Sequence, residues 1–315
     1  MKRLLVIYNI CGISGFQNHA YYEDAIKSVL AQKGFAPGEL KLVVSSCLSL
    51  DWTVHHLTHT FGNSISYNWI TESVPLGISF NHTVKESVKR FGEFEGYLYL
   101  DSGVNFWCPT GHYDALRVLW DTHLNTPSVA ITAALPSNDD GRSWWGIQYP
   151  EAPGEYVFKT GQTTNLHCQI YSEEFRKAYN GRLHCDIFAN DTSESVTSYL
   201  CAGIERKFQI SNRLQVFHNC HLDGASIGWR GGDGPRKRLM TEKTMDERYQ
   251  EGYHVGFGYE ECNGNMNWIH DPTLYDEAGR VKDPEALRAF CAKELFLTSE
   301  QFDYDKISHH FVEGA

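Results

Sequence analysis

The first 135 residues alternate short apolar runs with amphipathic helical patterns, and that alternation leaves few folds open. Runs at Leu4 to Tyr8, Leu40 to Val44, Ser64 to Ile70, Tyr97 to Leu100 and Val129 to Ala134 read as strands. Between them, Tyr21 to Ala31, Ser79 to Phe91 and Tyr113 to Asp121 carry apolar residues at helical spacing, as at Ala25, Ile26, Val29 and Leu30. Strands that alternate with helices predict a mainly parallel sheet with helices on both faces, because parallel neighbours need a crossover connection. Sheets of this kind bind ligands outside the carboxyl ends of their strands. Asp101, which follows Leu100, and the loop after Tyr8 fall at that edge.

Past this region the pattern loosens. Residues 136 to 165 are rich in Gly, Pro, Asn, Asp and Trp and read as loop, with a short hairpin around Tyr156 to Lys159. Trp144-Trp145 in that loop suits either stacking on a sugar or core packing. Mixed α/β character returns over 166 to 220, residues 230 to 270 are loop-rich, and a last helix runs from about Pro284 to Leu295. The expected division is a catalytic domain over 1–225 and a loop-rich, helical C-terminal extension over 226–315 packed on it.

The 315 residues suffice for a full core. A formal net charge of −11 disfavours a broad nucleic-acid footprint, which needs clustered cations. The one basic cluster, Arg230 to Arg238, is short and Gly-rich; it reads as a solvated loop or a phosphate contact. The N-terminal apolar run before Tyr8 is too short for a signal h-region, and no later run approaches the ~18 apolar residues of a membrane span. Nine cysteines without any C-x-x-C fit reduced thiols, so a cytoplasmic location is expected. His167-Cys168, His184-Cys185 and the group His218, Cys220 and His221 match no structural zinc spacing.

The chemistry-bearing segment is Asn190-Asp191-Thr192-Ser193-Glu194, at a loop-to-helix junction. Asp191 is placed to cap the following helix, whose N-terminus favours the ionised carboxylate. A fixed carboxylate accepts a proton from a hydroxyl, so Asp191 is a candidate general base; a plain helix cap is the other reading. Asp101 offers hard oxygen ligands for a divalent cation. His218, after the strand at Val216-Phe217, adds an imidazole that suits Mn²⁺ better than Mg²⁺, and His221 is its alternative. Cys11-Gly12-Ile13-Ser14-Gly15-Phe16 lacks the third glycine of a dinucleotide fingerprint.

Four segments in this order resemble family 2 glycosyltransferases. Val6-Ile7-Tyr8-Asn9 with Tyr22 to Gln32 resembles their first strand and helix, and Leu76-Gly77-Ile78-Ser79-Phe80-Asn81 resembles a Gly and Asn motif that opens a helix. Tyr97 to Gly103 stands where the D-x-D motif stands, and Asn190-Asp191 resembles the acidic pair before the acceptor-side helix. The resemblance spans roughly residues 3 to 225. It implies a GT-A fold and an inverting transfer from a nucleotide-diphosphate sugar to a hydroxyl acceptor, expected to be a glycan. It implies Asp191 as base, a divalent cation at Asp101 with His218, and donor contacts from Tyr8, Asn9, Asn81, Asp101 and Ser102. Tyr8 would stack on the base, and Asn81 would place the diphosphate or orient the base.

Two departures stand out. Gly103 replaces the second Asp of D-x-D, and Ser45-Ser46-Cys47-Leu48-Ser49 replaces the usual acidic turn near the nucleobase. Asp51 could serve in its place, or cap a helix over Trp52 to Thr60. Three rivals remain: a glycosyltransferase for hydroxylated bases in DNA, disfavoured by charge; a nucleotidyltransferase, whose phosphate loop would need a Lys or Arg that is absent before Lys27; and a non-catalytic glycan-binding protein.

Overall fold

The strand Leu4–Cys11 sits in the middle of the sheet because both of its faces are apolar. In this computed structural model the described residues are 2–11, 19–47, 51–72, 74, 76–101, 104–106, 114–137, 155–158, 168–186, 193–218, 273–274, 276 and 280–314. Their strands are β1 (Leu4–Cys11), β2 (Leu40–Cys47), β3 (Ser66–Ile70), β4 (Gly96–Asp101), β5 (Val104–Asn105), β6 (Val129–Ser137), β7 (Glu155–Phe158), β8 (Cys168–Ser172), β9 (Lys207–His218) and β10 (His309–Val312). Their α-helices are α1 (His19–Leu30), α2 (Asp51–Phe61), α3 (Leu76–Phe91), α4 (Ala115–Leu124), α5 (Glu173–Ala178), α6 (Ser193–Ala202) and α7 (Pro284–Leu295).

All ten strands join one sheet, ordered β10-β3-β2-β1-β4-β8-β6-β9-β5, with β7 also paired to β9. β1 to β4 are mutually parallel, β6 and β9 pair in parallel, and β8 runs antiparallel between β4 and β6. The class is the one the alternation predicts: α/β, with a mainly parallel sheet flanked by helices.

Side-chain alternation divides the core in two. Leu4, Val6, Tyr8 and Ile10 of β1 face α1 and α4, where Tyr22, Ala25, Ile26, Val29, Leu116, Leu119 and Trp120 are buried. Leu5 and Ile7 face the opposite side, with Ile78, Phe80 and Val84 of α3, Leu200 of α6 and Leu287 of α7. Each of these fully buried apolar side chains contributes about 1.5–3 kcal/mol. Trp120 lies so close to β4 that a Cβ on Gly96 would fall 2.4 Å from its ring.

Four elements differ from the sequence expectation. α3 begins at Leu76, a turn earlier than Ser79, so the Gly77-to-Asn81 motif is helical. Glu155–Phe158 is a strand, but it pairs antiparallel with β9 rather than closing a local hairpin. The four-residue β10, with its polar His309-His310 start, gave no strand signal, yet it pairs antiparallel with β3 at the sheet edge. Asp51 is the first residue of α2 rather than the cap before it. The last helix matches residue for residue. Asp283 caps it, accepting from the Glu285 and Ala286 amides at 3.0 and 3.1 Å, and Pro284 takes the first turn.

Candidate functional site

A row of polar residues crosses the carboxyl edge of the parallel strands. Asn68 of β3 pairs in register with Ser45 of β2, Ser45 with Asn9 of β1, and Asn9 with Asp101 of β4. Register partners in a parallel sheet share a face, and this row faces α3. The Ser45 hydroxyl lies 3.3 Å from Ser79 Oγ and 2.8 Å from Thr83 Oγ1, and Asn68 Nδ2 donates to Thr83 Oγ1 at 2.8 Å. Asn9 is 5 % exposed, and its Oδ1 has no hydrogen-bond partner. A buried acceptor left unpaired costs about 1–3 kcal/mol. Asp101 beside it is half-buried, and the Tyr99 hydroxyl donates to its Oδ1 at 3.4 Å.

Sequence reasoning put Tyr8 beside Asn9 at the nucleotide. The strand's alternation separates them. Tyr8 points to the α1 face, is fully buried there and meets Tyr22 edge-on with ring centroids 6.5 Å apart. The ring is therefore part of the core on that face. The polarity switch from Tyr8 to Asn9 within one strand was the signal available in the sequence.

Asn81, expected at the diphosphate or the base, lies in the second turn of α3. Its side chain is 2 % exposed and committed to the chain segment that leads to Asp191. Asn81 Oδ1 accepts from the Leu183 and His184 amides at 2.9 and 3.0 Å, and Nδ2 donates to the His184 carbonyl at 2.7 Å and to Asp186 Oδ1 at 3.1 Å. Gly77, one turn earlier on the same helix face, allows the Cys185 carbonyl to approach; a Cβ there would sit 2.0 Å from that oxygen. Gly77 and Asn81 thus form one device that fastens residues 183–186 to α3.

Asp186 completes the fastening. It is fully buried and takes an ion pair from Arg182 at 2.9 Å, the Leu297 amide at 2.9 Å and the Tyr304 hydroxyl. Burial pushes its carboxyl above the usual range, and Arg182, Tyr304, Leu297 and Asn81 pull it back. His184 lies in an aromatic cage of Phe80, Tyr99 and Tyr171, with ring centroids 4.5, 4.8 and 5.4 Å away. Neither of its nitrogens has a hydrogen-bond partner, and burial lowers its pKa to about 3.

Beyond the row, β8 and β6 separate β4 from β9, and the end of β9 pairs with β5. His218 pairs in register with Val104, three residues after Asp101. The two residues expected to hold a cation therefore belong to adjoining segments of one edge. α6 begins at Ser193, two residues after Asp191, and packs against β6, β9 and α7. Ser102, Gly103, Asp191 and His221 lie outside the described residues, as do Trp144-Trp145 and the Arg230 to Arg238 cluster. The Asn9 oxygen, without a hydrogen-bond partner, lies one strand over from Asp101. No helix among the described residues is long and apolar enough to cross a membrane.

No protein-family model and no curated protein matches this sequence. Among solved structures, the chain is similar to TarS of S. aureus at 13% identity and a TM-score of 0.49, covering 85% of this chain and 49% of that one. It spans about half the length of that TarS chain. A shorter TarS structure, residues 1-349 in complex with UDP, gives 14% identity and a TM-score of 0.49 over 85% of this chain and 78% of that one. The mannosyltransferase PcManGT from Pyrobaculum calidifontis, in complex with GDP-Man and Mn2+, gives 11% identity and a TM-score of 0.47 over 96% of this chain and 82% of that one.

Proposed function

We infer that this chain is a GT-A glycosyltransferase that moves a sugar, with inversion, from a nucleotide-diphosphate donor to a hydroxyl of a glycan acceptor. The observation that carries the reading is the convergence at one sheet edge of Asp101, the β9 end at His218, and a buried, unpartnered Asn9 oxygen. An open α/β sheet takes its ligand at that edge.

In this reading Asp101 and His218 hold a divalent cation, Mn²⁺ before Mg²⁺, with Ser102 next to Asp101. The cation offsets charge that develops on the leaving diphosphate. Asn9 Oδ1 accepts a hydrogen bond from the donor. Asp191 takes the acceptor hydroxyl proton as that oxygen attacks the anomeric carbon from the face opposite the diphosphate. Gly77, Asn81 and Asp186 support Asp191 from a distance: they fix residues 183–186, which precede it in the chain.

The test is a transfer assay with purified chain, Mn²⁺ and a panel of nucleotide sugars, read as release of nucleotide diphosphate with a glycan acceptor present. Loss of a general base costs typically 10²–10⁴-fold, so Asp191→Asn should lose at least 10²-fold in kcat while donor affinity stays within a few-fold. Residual transfer near the wild-type rate would remove Asp191 from the role of base. Donor binding without transfer to any acceptor would favour a glycan-binding protein of the same fold.

A further inference from the structure

His82, Glu86 and His309 stand apart from the Asp101 edge and form the one group of three metal-ligating side chains found among the described residues; their ligand atoms all lie within 4.8 Å of one another. His82 and Glu86 are one turn apart on α3, so they share a face. His309 opens β10, where the pairing with β3 brings it against that face. The two imidazole rings are edge-to-face, with centroids 4.4 Å apart. His82 is 1 % exposed, and the side chains of Glu86 and His309 are 5 % and 22 % exposed.

The hydrogen bonds around the cluster leave the right atoms facing inward. His309 Nδ1 donates to the Ile307 carbonyl at 3.0 Å. Its Nε2 lies 3.5 Å from Glu86 Oε2. Tetrahedral Zn²⁺, with bonds of about 2.0–2.2 Å, spaces its ligand atoms roughly 3.4 Å apart, close to the 3.5 Å between His309 and Glu86.

His82 Nδ1 is engaged by the Asn68 amide at 3.2 Å, which leaves Nε2 as its ligand atom. When His82 ligates through Nε2, its remaining proton moves to Nδ1. Asn68 Oδ1, buried and without a partner, becomes the acceptor for that proton once the amide turns over. A backbone carbonyl behind one histidine and an amide behind the other are the outer partners that orient ligating imidazoles.

Arg90 also bonds Glu86, and Lys89 lies 4.0 Å from its Oε1. A carboxylate has about four lone-pair positions, so Arg90 and a cation can share it.

We propose that His82, Glu86 and His309 form a transition-metal site, of Zn²⁺ type, that locks β10 onto α3 and leaves one coordination position open to water. The site is independent of the glycosyl-transfer reading and stands whether or not that reading holds.

The test is titration of the metal-stripped, tag-free chain with Co²⁺, read as the visible absorption of tetrahedral cobalt, followed by displacement with Zn²⁺. One equivalent should give the band, Zn²⁺ should abolish it, and either ion should raise the unfolding temperature. His309→Gln and Glu86→Gln should each weaken Co²⁺ binding at least tenfold. His309 is partly exposed on an edge strand, so that variant should fold, with far-UV circular dichroism as the check. Asp101→Asn should keep the band, which separates this site from the donor edge. His310→Gln should keep it as well, because that ring packs on Trp69 with centroids 5.5 Å apart. Absence of the band and of any thermal shift overturns the proposal. Wild-type binding by His309→Gln overturns it too, since the ion would then sit elsewhere, for instance on His55 and His59 of α2.

Discussion

Single residues at the site divide by what surrounds them. His184, with both nitrogens unpartnered inside aromatic walls, behaves as a buried neutral ring. Its pKa falls from 6.5 to about 3, and burial lowers His82 and His123 to about 4. The unfolded chain therefore binds protons that the folded one refuses. The stability these residues allow is fully present above pH 6.5 and is lost as pH falls from there towards 4 and 3. Thermal unfolding midpoints should drop steeply between pH 6.5 and 4. His184→Phe should flatten that fall and add on the order of 1 kcal/mol at pH 7, because it removes two unpaired polar atoms from an apolar cage. Urea melts at pH 7 and pH 5 check both; a variant less stable than wild type at both values would mean that the imidazole has a partner. The strand-end placement of Asp101 and Asn9 was readable from one apolar run and its last residues. The role of Asn81 was not, because its partners are about 100 positions away and become neighbours only in the folded chain.

At the scale of elements, α3 does two things that its amphipathic pattern conceals. One face carries Gly77 and Asn81 against residues 183–186, and its later turns carry His82 and Glu86 towards β10. Gly77→Ala would drive a Cβ into the Cys185 carbonyl, so backbone must shift; the expected loss is about 3 kcal/mol in urea melts. Asn81→Ala leaves two buried amides and a buried carbonyl unpaired and should cost about 3–5 kcal/mol. A loss under 1 kcal/mol in both would show that segment 183–186 holds its place without α3. Helices and parallel strands were legible because each repeats a pattern over many residues. β10 was not, and β7 was read only as part of a local hairpin: at four residues each, their pairing is set by β3 and β9, and their own sequence carries little of it.

Across the whole molecule, the sheet sets the chemistry by bringing distant segments to one edge. β1, β2 and β4 supply Asn9, Ser45 and Asp101, β9 brings His218 level with Val104, and α6 starts just after Asp191. The C-terminal segment takes part as well: the Leu297 amide and the Tyr304 hydroxyl hold Asp186, and the Asp186 amide donates to the Leu295 carbonyl at 2.9 Å. Asp186→Asn should therefore slow transfer through Asp191 while leaving donor affinity within a few-fold, checked by separating kcat from donor KM. The most direct measurement is calorimetric titration of the chain with UDP, GDP, TDP and CMP, each with Mn²⁺ and again with excess EDTA. At least one nucleotide should bind with Mn²⁺ and lose tenfold or more in affinity with EDTA, and Asp101→Asn should reproduce that loss with Mn²⁺ present. Binding of none of the four, or binding indifferent to both EDTA and Asp101→Asn, would contradict a cation-assisted donor site at this edge.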